Sequence, residues 1–262
     1  MNPTGHSVKP MPIWVALLYF GIPAVVVIFI VYVVMPLLAA RGVHIFFNYL
    51  MVYATVPMLA LIAASLIAYR REGNVMSWVE FKNRFRLKSM DGKSWLWTIG
   101  LALFMVFSAG LLSFTAHWLA SISFFAPPDY WPAELKPHAQ GDLASGALPT
   151  DFMGVPLAGN WWILPVLVTS LMIATFGEEL WWRGYILPRQ ELAHGNRAWL
   201  IHGLLWTAFH GFAPWNLLTI LPGCLALSYV AQRLENTWPA IIAHGLANGL
   251  LVIIVVVLGI TG

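Results

Sequence analysis

Apolar residues along this chain fall into long uninterrupted runs, not into the alternating or three-to-four-residue stripes of soluble elements. Stretches 13–40, 45–69 and 95–124 contain no Asp, Glu, Lys or Arg. Stretch 161–187 is equally apolar except for Glu178, Glu179 and Arg183. Stretch 198–231 carries no charge but is interrupted at Gly211-Phe212-Ala213-Pro214, which predicts two shorter helices and a tight turn. A last apolar run covers 239–260. Crossing the ~30 Å hydrocarbon core of a bilayer takes about 20 apolar residues, so the pattern predicts an all-α transmembrane bundle of about seven helices. The first run exceeds the 7–15 residues or so of a signal-peptide core, and reads as a retained helix.

The loops orient the bundle. Residues 70–93 hold Arg70, Arg71, Lys82, Arg84, Arg86, Lys88 and Lys93 against Glu72, Glu80 and Asp91, which places this loop in the cytoplasm by the positive-inside rule. The Pro- and Gly-rich stretch 126–161 has Asp129, Glu134, Asp142 and Asp151 against Lys136, and belongs outside, as a partner-contacting loop or a linker. Arg189, Arg197 and Arg233 then return to the cytoplasmic side, with the N-terminus inside and the C-terminus outside. Trp78, Phe81 and Phe85, interleaved with Lys82, Arg84 and Arg86, form an amphipathic segment. It either lies flat in the interface or connects two helices while its cations snorkel. The expected division is residues 1–124 with three helices, an outer loop 125–160 and a helical core 161–262.

Composition agrees with lipid as the outer solvent. Charged residues make up 10% of the 262, hydrophobic residues 60%, and mean hydropathy is +0.75, whereas a soluble domain carries about 25% charge. Fourteen Trp and eight Tyr suit headgroup-level anchoring. The lone Cys224 excludes an intramolecular disulfide and is too isolated for a thiolate metal site. No basic stripe or repeat points to nucleic acid or a solenoid.

Ionisable groups within a bilayer cost at least ~2.5–3.5 kcal/mol each on insertion scales, so their placement carries information. They concentrate in the late helices: Glu178, Glu179 and Arg183, then His202 and His210, then His244 with Asn248. Glu179 and Arg183 share a helical face at i,i+4 and can pair. Glu178 is rotated ~100° away and is left as a second, unpaired carboxylate, a candidate base. Trp206 with His210, and His244 with Asn248, repeat the i,i+4 spacing. At ~1.5 Å rise per residue, Glu178, His210, His244 and Asn248 fall in one slab below the cytoplasmic surface. His6, His44, His117, His138, His194 and His202 lie at helix ends or in loops and read as structural or solvated.

Such a set suits water activation. A carboxylate and a histidine polarise water for attack on a carbonyl, and a second His with an Asn amide can donate to the oxyanion. Glu178, His210 and His244 also have the residue types of a Zn²⁺ site with an open position. No zincin or Ser-His-Asp signature is present.

Glu178-Glu179-Leu-Trp-Trp-Arg183, Trp206-Thr-Ala-Phe-His210 and His244-Gly-Leu-Ala-Asn248, in this order on three helices, resemble the CPBP family. These are the CAAX prenyl endopeptidases of type II and the Abi-like intramembrane proteases. The resemblance covers roughly 161–260, with one departure, since the second motif usually begins with Phe. It implies a multi-pass protein of a bacterial or archaeal cell membrane that cleaves a membrane-bound or lipid-modified substrate near the cytoplasmic face. It implies Glu178 as general base, His210 positioning water, His244 and Asn248 on the oxyanion, and Glu179–Arg183 as supporting pair. Zn²⁺ is permitted by the resemblance and not required. Two other classes share the residue pattern: a non-catalytic partner-binding or immunity protein, and an ion-coupled transporter. The latter is disfavoured by the lack of an inverted repeat.

Overall fold

The computed structural model describes residues 8–137 and 149–262. His6, His138 and Asp142 lie outside the described residues. Helix α1 spans Ile13–Ala40 and α2 spans Ile45–Arg71. A short α3, Trp78–Arg84, precedes α4, Gly92–Leu111, and α5, Ser113–Ala120. The long α6 runs over 163–194, α7 over Ala198–Phe209, α8 over Leu217–Leu234 and α9 over Trp238–Thr261. The protein is a multi-pass membrane protein: among the described residues, six elements are long and apolar enough to cross a bilayer. The count of about seven is reached through α7, whose 12 residues extend ~18 Å and stop inside a 30 Å core.

The run 95–124 does not form one helix. It breaks at Leu112, whose carbonyl accepts from the hydroxyls of Thr115 at 2.7 Å and Thr219 at 3.2 Å. Three other helices continue through a widened π-type stretch, over Ile30–Val34, Asn48–Thr55 and Leu180–Ile186. Each stretch ends two residues before a proline: Pro36, Pro57 and Pro188. Proline has no amide hydrogen for the carbonyl four residues back, and the helix relaxes by widening. In α2 the widening frees the Leu50 carbonyl, which accepts from Thr55 at 2.6 Å and from Ser170 of α6 at 3.1 Å.

At the centre, α6 packs against α2 and α9, while α7 packs on α8 and α1. Helix α4 closes the far side against α8 and α9. Helices approach closely where glycines face them, as small residues allow in membranes. A Cβ on Gly177 would lie 2.6 Å from the Met58 carbonyl, and one on Gly203 would lie 2.9 Å from the Leu225 Cα. Outward positions are apolar, Leu96 at 73% and Phe107 at 69% exposure, a patch that requires lipid or a partner.

Two sets of loops gather at opposite ends. At the basic end, the Met11 amide donates to the Arg189 carbonyl and the Thr237 amide to the Arg86 carbonyl. Arg86 pairs with Glu191 at 2.8 Å, and Lys88 with Glu235 at 3.2 Å. At the other end, the Gly159 amide donates to the Ile260 carbonyl at 3.0 Å. The amphipathic segment does not lie flat as a whole. Trp78 and Val79 are exposed, but Phe85 and Arg84 are buried against the bundle.

The outer stretch, where described, is packed onto the helices. Trp131 contacts Tyr49, Tyr53 and Trp215 edge-on. Glu134 accepts from the Met153 amide at 2.7 Å, and a small hairpin pairs Asp151–Phe152 with Val155–Pro156.

Candidate active site

Four helical segments bring the polar groups together. Glu178 and Glu179 lie where α6 passes into its widened turn. Trp206 is on α7, and His210 opens the turn His210–Phe212 that ends it. His244 sits two turns into α9. The turn after His210 follows from Pro214, which cannot continue a helix and pushes Ala213 out of the helical region. Tyr32 of α1 donates to the Phe212 carbonyl at 3.1 Å and ties that turn down.

Glu179, fully buried, accepts through Oε1 from the Arg183 Nη1 at 3.1 Å and from the His244 Nδ1 at 2.8 Å. The pair expected from i,i+4 spacing therefore exists, and it holds a histidine of another helix as well. Glu178 is not unpaired: its Oε2 accepts from the Trp206 indole at 2.8 Å. Its other oxygen has no hydrogen-bond partner among the described residues.

Trp206 connects the whole cluster. Its carbonyl accepts from His210 Nδ1 at 2.8 Å. The Arg183 guanidinium lies over its ring, 3.5 Å from the centroid, and the rings of His210 and His244 meet it edge-on at 5.3 and 5.5 Å. With Nδ1 of His210 donating, Nε2 carries a lone pair and can accept from a ligand. Sequence reasoning had Trp206 as a motif position without a role. Its signal was the departure from Phe, since Trp adds a donor that Phe lacks.

Asn248 stands one helical turn from His244, exposed and without a hydrogen bond among the described residues. His202 is fully buried and bonded to Gln190, a structural role. The His44 side chain accepts from the Phe46 amide and caps α2. Tyr53, near Glu178, forms an aromatic roof with Trp131 and Phe212. It was not anticipated, because its neighbour lies over a hundred residues away in sequence.

Among the described residues, no three His, Cys, Asp or Glu side chains converge on a point that could hold an ion. Glu178, His210 and His244 supply the right ligand types, but they are not gathered into a three-ligand set.

A cleft of about 1120 Å³ opens between α1 and α2, and its lining reaches Phe209, the residue before His210, but none of the clustered polar side chains. Its walls are apolar, including Ile22, Val26, Ala60 and Leu61, and its floor is Trp181 and Tyr185 of α6 with Phe209 of α7. Lys9, Arg71 and Arg189 lie at its basic end.

Residues 160–250 match the family model described as Type II CAAX prenyl endopeptidase Rce1-like. The match covers about a third of the chain and includes all three motifs, and it agrees with the resemblance to the CPBP family. No curated protein and no solved structure matches the chain.

Proposed function

We propose that this multi-pass membrane protein with an Rce1-like segment is an intramembrane endopeptidase acting through a Glu178- and His210-bound water. The observation that carries the reading is the asymmetry of the two adjacent carboxylates. Glu179 is wholly buried, with Oε1 engaged by a cation and a histidine and Oε2 sealed from solvent, while Glu178, 8% exposed, has one oxygen fixed by Trp206 and the other free to take a proton.

In this mechanism a water donates to the free oxygen of Glu178 and to Nε2 of His210. Glu178 removes its proton as it attacks the scissile carbonyl, then delivers that proton to the departing amine. His244 donates from Nδ1 to Glu179, so as the imidazolium it presents Nε2–H to the oxyanion. Asn248, unbonded and one turn away, supplies an amide N–H. Arg183 balances the charge of Glu179 and braces Trp206 through its ring face. The substrate is membrane-bound, and the apolar cleft between α1 and α2 favours a lipid-modified peptide over an unmodified one. The cations at one end of the bundle support a site that opens toward the cytoplasm.

The test uses purified protein in proteoliposomes with matched lipidated and unlipidated peptides. Glu178→Ala and His210→Ala are expected to abolish cleavage while expression and insertion persist. Full proteolysis by the Glu178→Ala protein would sink the glutamate-base mechanism. Partner binding that survives both substitutions without any cleavage by the parent protein would favour a non-catalytic role.

A further inference from the structure

In the α-helical register the Gly184 carbonyl would accept from the amide of residue 188, and Pro188 has no amide hydrogen to give. That carbonyl sits in α6 one residue beyond Arg183, within the widened stretch Leu180–Ile186. It is not left orphaned. Arg84, from the end of α3, donates to it through Nη1 at 3.1 Å and reaches the Tyr185 carbonyl at 3.5 Å. Arg84 is held there by Glu72 at the foot of α2, through Nε at 2.6 Å and Nη2 at 2.8 Å, and its side chain is 2% exposed. A surface cation that snorkels has no need of this burial.

The two following residues extend the attachment to α9. Phe85 packs on Gly184 so closely that a Cβ there would fall 2.6 Å from its ring. The Phe85 carbonyl accepts from the Thr237 hydroxyl at 2.7 Å, and the Arg86 carbonyl from the Thr237 amide at 2.9 Å. Thr237 is the residue before α9, the helix of His244. Arg86 adopts a left-handed backbone, φ 54°, to make this bond while pairing with Glu191 of α6. A non-glycine residue persists in that region when its surroundings over-determine it. The tripeptide 84–86 thus grips α6 next to Arg183 and α9 at its N-cap, Thr237, two turns before His244.

We infer that Arg84 is a positioning residue, replacing the amide hydrogen that Pro188 removes and, with Phe85 and Arg86, setting the distance between Glu179 and His244. The inference rests on the protease reading for its kinetic readout only. Its decisive feature is reciprocity: Pro188→Ala supplies the amide hydrogen with which α6 can return to the α-helical register and reach the Gly184 carbonyl, compensating for the loss of Arg84.

The experiment compares Glu72→Gln/Arg84→Met, which removes both charges together, with the same protein carrying Pro188→Ala. The double variant is expected to lose about 10²-fold in kcat with KM nearly unchanged, the scale of an ~1 Å misplacement, and Pro188→Ala to recover most of it. Isotope-labelled histidine in nanodiscs gives a readout independent of cleavage. The His244 Nδ1 proton held on Glu179, identified by its loss in Glu179→Gln, should shift in the double variant and return with Pro188→Ala. Where the double variant does not fold, Arg84→Lys carries the same comparison, keeping the charge beside Glu72 while losing the fork to the carbonyls. An unchanged resonance without Arg84, or no recovery with Pro188→Ala, overturns the inference. A parent protein that cleaves nothing while the resonance follows this pattern overturns the protease reading and leaves the positioning role standing.

Discussion

The Glu179–Arg183 pair allows stability and catalysis to be separated. Both side chains are wholly buried, and Glu179 is the hydrogen-bond partner the described residues give to Arg183, whose Nε and Nη2 have none. Glu179→Gln preserves shape but leaves the guanidinium uncompensated in a low-dielectric interior. Removing one partner of a buried pair costs about 3–5 kcal/mol. At roughly 2–4 °C per kcal/mol for a chain of this order, the expected fall in Tm is about 6–20 °C. Glu179→Gln/Arg183→Met removes both charges and keeps similar volumes, and such replacements are often neutral within a few kcal/mol. Its Tm should return to near the parent's. Cleavage should not return, because His244 still lacks the carboxylate that accepts from Nδ1. Thermal unfolding in nanodiscs and cleavage of a lipidated peptide, on the same preparations, give the comparison. A double variant with parental activity would show that Glu179 serves only to neutralise Arg183, and the account of His244 would fail.

Three further outcomes follow from single contacts. Trp206→Phe writes the residue the CPBP pattern usually has, keeps the ring beneath Arg183 and deletes the indole bond to Glu178. A hydrogen bond to a charged group is worth about 1.5–3 kcal/mol, so cleavage should drop about 10- to 100-fold in steady-state assays and Tm should fall by about 3–12 °C. Asn248→Ala removes an exposed side chain with no bond in the fold, leaving Tm constant, while kcat drops about 10²–10³-fold if its amide meets the oxyanion; unchanged kcat removes Asn248 from the mechanism. Asp91 caps α4, and hydrogen bonds from the Ser94 hydroxyl and amide hold its carboxyl below the usual carboxylate range. A depressed folded-state value stabilises the protein above the unfolded value of ~3.9 and ceases to do so as pH falls through the lower one. Asp91→Ala should therefore lower Tm at neutral pH, and melting curves of the two proteins should converge in acid.

What the sequence disclosed and what it hid divide along one physical line. Lipid exposure is a property of each residue in turn, so runs such as 13–40 announce their helices, and the break at Pro214 announces its turn. Bilayer burial cost then singled out Glu178, Glu179, Arg183, His210 and His244 as residues that need partners. Which partners they take depends on helix rotation and crossing, and these leave no period in the chain. Glu178 was expected to stand alone because it is rotated ~100° from Glu179 and cannot share Arg183 equally well; the indole it meets is 28 residues away. Spacing sets His244 and Asn248 on one helical face, but it does not disclose that His244 bonds Glu179 of α6, 65 residues distant, while Asn248 is exposed and unbonded among the described residues. Arg84 was hidden for a related reason. In a loop crowded with cations, positive-inside statistics account for it fully, and nothing local marks it as a donor to a carbonyl 100 residues on. The trace it leaves lies in α6 itself. A proline one turn past a charged motif creates an acceptor that must be satisfied inside the membrane, and the donor has to come from another element. Unsatisfied carbonyls at helical prolines are countable from sequence, so Pro36, Pro57 and Pro188 each pose a question about a remote donor before any coordinates exist. For Pro188 the answer is an arginine whose placement also sets the geometry of the site.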